Sequence, residues 1–198
     1  MPFSKVQEIE NAARTAALGK LVSSPGDHAS SAQENGDLEN LRRELQQTLA
    51  AEISRREVVL RSTPDGLVIS LKEIGFFESG ASSVRANSQP AFDRIAVQLA
   101  RRPYHLRIEG HTDDVPIHNA QFASNWELST ARSTELVRLL IVKYGFSPDR
   151  LSAAGYAQYH PVADNNAPGG RAQNRRVDVV ILRQEYQGQA VSPGQQTP

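Results

Sequence analysis

The side chains richest in chemistry gather in two segments, Ile108-Glu-Gly-His-Thr-Asp-Asp-Val-Pro-Ile117 and Ser124-Asn-Trp-Glu-Leu-Ser-Thr-Ala-Arg-Ser133. The first ends an alternating run on a pair of carboxylates. The second opens a helix that carries an arginine about two turns in. Asp113 and Arg132 can therefore face one small zwitterion, the carboxylate gripping its ammonium and the guanidinium its carboxylate. That is the chemistry of an amino-acid receptor, not of bond cleavage. Spacing alone leaves a plain structural ion pair between Asp113 and Arg132 as the other reading.

These residues are placed by the elements around them. Tyr104, Leu106 and Ile108 alternate with His105, Arg107 and Glu109, a half-buried strand ending at Gly110. Asp113 thus falls just past a strand end, where open α/β sheets take ligands. Ser124 and Glu127 form a capping box; Val137, Leu140, Ile141 and Tyr144 lay an apolar stripe down the helix, and Gly145 closes it. Ser129, Arg132 and Leu136 share one face of that helix. Upstream, Val58 to Leu60 and Leu67 to Leu71 read as strands joined by the turn Pro64-Asp-Gly66. Asn87-Ser-Gln-Pro90 then starts a helix with Phe92, Ile95, Ala96 and Leu99 toward the core, and Pro103 stops it. Downstream come a helical turn at Ser147-Pro-Asp-Arg150, a short strand from Leu151 to Tyr156, and a last strand from Arg176 to Leu182. Crossovers are right-handed, so both long helices lie on one face of a mixed sheet. The expected fold is α/β, a two-layer sandwich with an added N-terminal helix, the other sheet face being partly exposed or covered by that helix.

With 198 residues, 39% of them hydrophobic, the chain can bury one core, which predicts one domain with tails. Lys+Arg and Asp+Glu balance at 22 each, so no broad positive field favours nucleic acid. Cysteine is absent, which excludes a disulfide framework, a thiolate zinc site and a cysteine nucleophile. No apolar run approaches the ~20 residues that span a bilayer, and Met1-Pro-Phe-Ser-Lys5 has no signal-peptide pattern; as written, the chain reads as soluble. Residues 1–22 are expected to form a short helix or tail, 23–37 a flexible linker, and 38–56 an amphipathic helix carrying Leu38, Leu41, Leu45, Leu49 and Ile53. The α/β domain takes 57–183, and 184–198 is a polar, disordered tail.

Three segments in order, Gly110-His-Thr-Asp113, Asn125-Trp-Glu-Leu-Ser-Thr-Ala-Arg132 and Asn174-Arg-Arg-Val177, resemble the signature of the OmpA-like domain family. The resemblance covers 58 to 182 and implies a βαβαβ-type domain that binds peptidoglycan, without cleaving it, through the diaminopimelate of the stem peptide. It implies that Asp113 takes the ammonium and Arg132 the carboxylate. Asn125 and Thr112 would complete the polar wall, with Leu128 and Arg175 in the ligand-binding set, and with no cofactor, metal or catalytic residue. On that reading, Asp113→Ala and Arg132→Ala each abolish wall binding and leave the fold intact. Within the family, Asp113-Asp114-Val-Pro-Ile117 and Ser124-Asn-Trp-Glu-Leu128 look most like the stator B subunits of flagellar motors, the MotB branch. This implies a periplasmic homodimer, anchored in the inner membrane and joined to a stator A subunit through a membrane helix that this sequence lacks.

Rival readings rest on other residues. His111 with Asp113 and Asp114 suggests a hydrolase with an activated water, but His118 and His160 fall in loops without ligand spacing. A pure scaffold domain is the third class. Asp114 is expected to cap a loop or helix, Trp126 to pack, and His105 to stay solvated. Arg175 and Arg176 point to opposite strand faces, so at most one reaches the pocket. Pro168-Gly-Gly170 reads as a mobile loop.

Overall fold

The computed structural model describes residues 25–183, with side chains from residue 33 onward. The helix or tail expected at 1–22 and the tail at 184–198 lie outside the described residues. The chain divides into two compact units, Met1–Glu39 and Asn40–Pro198. Helix α1 (Pro25–Thr48) runs back through most of the stretch read as a linker. Ala, Gln and Glu among its serines favour a helix, and Pro25 fits a first turn, where no N–H is needed.

The second unit is built on one five-stranded sheet in the order β1-β2-β5-β3-β4, with β1 (Val58–Thr63), β2 (Gly66–Lys72), β3 (Leu106–His111), β4 (Leu151–Gly155) and β5 (Arg176–Leu182). Among the described residues only β3 and β4 pair in parallel. Register sorts the two faces. Ile69 lies opposite Val179, and Val179 opposite Ile108, so one face is a continuous apolar row. On the other face Lys72 opposes Arg176, which opposes His111, and Ser70 opposes Asp178, which opposes Glu109. The period of two thus separates an aliphatic core from a charged face.

The apolar face is covered by α4 (Gln89–Ala100) and α5 (Asn125–Tyr144). Phe92, Ile95, Ala96 and Leu99 of α4 and Leu128, Leu136 and Leu140 of α5 are all buried. Leu41, Leu45 and Leu49, from α1 and the break before α2 (Ala50–Ser54), are fully buried. This segment lies along α4, where Glu44 pairs with Arg102 at 2.9 Å and Glu52 with Arg94 at 2.6 Å. Ser124 caps α5 by accepting from Trp126 N and donating to Glu127, and Gly145 ends it in the left-handed conformation at φ 68°.

A clamp between α4 and α5 has a testable pH signature. Asp93 accepts from Lys143 at 2.8 Å and from Tyr144, and these bonds pull its pKa down to about 2. A depressed carboxylate adds stability that is present above its unfolded pKa and is lost as pH falls through the folded one. Asp93→Asn is therefore expected to lower Tm by about 1–3 °C at pH 6, a gap that closes toward pH 2 in thermal melts of the two proteins.

Two short helices escaped the sequence reading. Glu73–Phe76, α3, continues directly from β2, and Pro168–Asn174, α6, replaces the loop expected at Pro168-Gly-Gly170. Pro168 supplies a strain-free first turn. Gly170 lets that turn press on the Asp164 carbonyl, which an added Cβ would meet at 1.8 Å.

Candidate ligand-binding site

The pocket forms where β3 and β2 end, β5 begins and α5 starts. Its position depends on how closely α5 approaches the sheet. An added Cβ on Gly110 would stand 1.9 Å from the Ser129 carbonyl oxygen, and one on Gly155 would meet Thr130 Oγ1 at 2.2 Å. Only glycine lets helix backbone rest on strand backbone here. Ser129 adds a pin, its hydroxyl accepting from Ala157 N at 3.1 Å.

That contact carries Arg132 inward until its side chain is fully buried. Its Nε donates to Ala81 O at 2.8 Å, and its Nη2 donates to Glu73 Oε2 at 2.7 Å and to Glu78 O at 3.2 Å. The guanidinium also lies over the Phe77 ring, 5.1 Å from its centroid. Nη1 is buried with no hydrogen-bond partner among the described residues. Burial pushes the Arg132 pKa below its ordinary value, and the Glu73 charge opposes that shift. Arg132 is thus part of the core as well as of the pocket, so Arg132→Ala removes a core contact, contrary to the expectation of an intact fold.

Asp113 and Arg132 make no direct pair; Arg175 stands between them. Its Nη1 donates to Asp113 Oδ2 at 2.5 Å, and its Nε donates to Glu73 Oε1 at 2.9 Å. Burial works against the Arg175 charge, yet its bond to Asp113 and the charges of Glu73 and Asp113 raise its pKa. The result is a network, Asp113–Arg175–Glu73–Arg132, with alternating signs. Arg176 points to the other face, where it pairs with Asp178 at 2.9 Å.

One cavity of about 400 Å³ is lined by Thr112, Asp113, Asn125, Leu128, Arg132 and Arg175, so the structure brings all six candidate residues together. Their jobs differ. Thr112 Oγ1 donates to Asp113 O at 2.8 Å, and Asn125 Nδ2 donates to Asp113 O at 3.3 Å and Val115 O at 3.1 Å, so these two hold the loop after β3 in shape. Asp113 Oδ1 accepts from Val115 N at 3.2 Å. That makes Asp113 the loop cap; Asp114, expected in that role, is exposed. Trp126 is 48% exposed rather than packed and stacks on Tyr159 at 5.4 Å.

Glu73 is the residue that sequence reasoning missed. No motif marks it, because it acts through strand order: β2 and β5 are neighbours, and Glu73 N donates to Arg175 O at 3.0 Å just beyond their last pair. Asn174 of the third motif is fully buried and bonds Val162 N, Ala163 N and Ala163 O, which fixes the loop before α6.

The residues of the hydrolase reading are dispersed. His111 lines a different cavity from Asp113, stacked on Tyr156 at 5.4 Å. Among the described residues, Glu109, His111 and Asp178 could hold a metal ion. Arg107 already occupies Glu109 at 2.6 Å and Arg176 occupies Asp178 at 2.9 Å. A dication there would meet two guanidiniums, and the cluster reads as a buried ion network.

Comparisons with known proteins bear on the family and the fold. Residues 76–175 match the OmpA family. The chain is similar to Motility protein B of Bacillus subtilis (strain 168), 36% identical over 152 residues, which make up 76% of this chain and 58% of that protein. Among solved structures it is similar to the cell wall anchor of the T6SS from Pseudomonas aeruginosa, with TM-score 0.64 and 35% identity over 70% of this chain and 97% of that one. It is also similar to the periplasmic domain of Helicobacter pylori MotB, with TM-score 0.59 and 27% identity over 64% of this chain and 82% of that one. The chain spans about half the length of the curated relatives it matches, 58%, 49% and 48% of the first three.

Proposed function

The chain belongs to the OmpA family, and from that premise we propose that it is a non-catalytic receptor for peptidoglycan. In this reading, the cavity takes the zwitterionic end of a stem-peptide diaminopimelate. The ligand carboxylate goes to Arg132 with Arg175 beside it, and the ligand ammonium to Asp113. The observation that carries this reading is Arg132 Nη1, a buried donor without a partner on a residue that lines the same cavity as Asp113. A buried guanidinium donor left unpaired is costly, and a carboxylate would satisfy it.

Similarity to motility protein B supports a role in fixing a flagellar stator to the wall. The T6SS wall anchor favours a second reading, the same grip serving another envelope machine. Either reading puts the domain in the periplasm. Among the described residues no helix is long and apolar enough to cross a membrane; we assign inner-membrane anchoring and contact with a stator A subunit to a segment outside them.

Sedimentation with purified sacculi tests the receptor. Asp113→Asn is expected to weaken retention about 100-fold, since an unpaired desolvated charge costs about 3 kcal/mol. Walls with lysine in place of diaminopimelate lack the distal carboxylate and should bind at least about tenfold more weakly. Equal binding to both walls would exclude the zwitterion grip, and release of soluble fragments would favour a hydrolase.

We also propose a homodimer. Two linked pockets on a repetitive polymer raise avidity by about 10²–10⁴ without new contacts. Sedimentation equilibrium of the chain at tens of micromolar should report the dimer mass; a monomer with undiminished sacculus retention would refute it.

A further inference from the structure

A second cavity of about 750 Å³ opens on the charged side of the sheet, remote in chemistry from the wall-binding pocket. Five cations line it, Arg55, Arg56, Arg61, Lys72 and Arg176, and no carboxylate does. Some of their charge is met from nearby. Arg55 pairs with Glu57 at 3.0 Å, Arg176 with Asp178 at 2.9 Å, and Arg61 reaches the same Asp178 oxygen only at 3.5 Å. Lys72 has no carboxylate partner among the described residues. It is 8% exposed, and its ammonium donates to a backbone carbonyl, Gln173 O, at 2.7 Å. Directly across the antiparallel pair from Lys72 stands Arg176, a like-charged neighbour that destabilises a sheet. Arg56 is exposed and holds a left-handed φ of 60°, where asparagine or glycine would rest with less strain. Burial, then the charges of Arg176 and Arg61, pull the Lys72 pKa down to about 8.

An arrangement of this kind is stable when an anion completes it. We propose that this cavity is a binding site for a phosphate group, held by Lys72 and Arg176 from the strands and by Arg56 and Arg61 from the rim. Guanidinium forks match phosphate oxygens in pairs, and an ammonium beside them serves as a point charge. The walls add a second feature: Ile74, 71% exposed, and Val162, 45% exposed, flank the cations with apolar surface. The phosphate can therefore be free or carried on a lipid, and the test separates these sources.

The experiment uses the full chain at constant ionic strength. In one arm, inorganic phosphate is titrated and thermal stability followed, with chloride as the reference anion. In the other, the protein is sedimented with vesicles of phosphatidylcholine containing phosphatidylglycerol. Phosphate should raise Tm beyond chloride, and Lys72→Met and Arg56→Ala should each lower phosphate affinity about tenfold. Arg56 is exposed, so its variant keeps the measurement decisive should Lys72→Met fold poorly. Vesicle binding that falls with the same variants identifies a lipid source; phosphate binding without vesicle binding identifies a free one. Sacculus retention by Arg56→Ala should match wild type, so a failure here is distinct from a failure of the wall-receptor reading. The proposal is overturned if phosphate stabilises no more than chloride and vesicle binding is absent, or if Arg56→Ala and Lys72→Met leave both unchanged.

Discussion

Arg132→Ala is expected to lower stability by about 3–5 kcal/mol, with Tm falling by about 10 °C, in addition to losing wall binding. The guanidinium is fully buried and binds two carbonyls, a carboxylate and an aromatic face, so its removal leaves Glu73 and the carbonyls of Glu78 and Ala81 without it. Lysine is no substitute at a forked site. Arg132→Lys should keep charge but lose most of the stability and of the sacculus retention. Asp113→Asn is the contrasting variant, because its pocket-side carboxylate is met by Arg175, which is one-third exposed and can turn to water. Thermal melts beside sacculus sedimentation check the pair; an Arg132→Ala protein melting within about 2 °C of wild type would contradict the buried-network account.

Gly110→Ala should be nearly as damaging although it removes no contact. The new Cβ would overlap the Ser129 carbonyl at 1.9 Å and lie 2.7 Å from its carbon, both backbone atoms of α5. No rotamer relieves such a clash, so helix and strand must separate, at a cost of about 3 kcal/mol or more. The separation also displaces Arg132, the next residue along the same helix face, and a displacement near 1 Å is worth about 100-fold in a positioned site. Gly169→Ala is the control, since a Cβ there meets nothing within 4 Å. Chemical denaturation and sacculus binding of both variants test this; equal stability of the two would remove the proposed close contact.

Local pattern made some parts of this molecule legible and left others hidden. The strand from Arg176 to Leu182 and the cap at Ser124 were readable because alternation and capping are short-range signals. Asp113, Arg132 and Arg175 could be named because motifs mark them, yet their mutual arrangement could not. Spacing brought Asp113 toward Arg132, whereas strand order inserts Arg175 and Glu73 between them. Glu73 lies in no motif and outside the matched span 76–175. It becomes visible only when β2 is placed beside β5. Helix α6 was hidden by its own glycines, whose low propensity is overridden by packing against the Asp164 carbonyl.

Strand direction has a mechanical consequence. The register puts Val58, Lys72, Arg176 and His111 at one end of the sheet, so the chain leading into β1 arrives beside the pocket. In the proposed receptor, tension between a ligand on Arg132 and that leading segment passes from Arg132 to Glu73, and on through the bond from Lys72 N to Glu57 O at 2.8 Å. The aliphatic row from Ile69 to Ile108 lies off this line and stays unloaded. Force runs across the strand ends, where bonds open one after another, starting at the Lys72–Glu57 link. Load drawn through the chain ahead of β1 should therefore first strip the buried Leu41, Leu45 and Leu49 from the core and only then peel β1 from its hairpin.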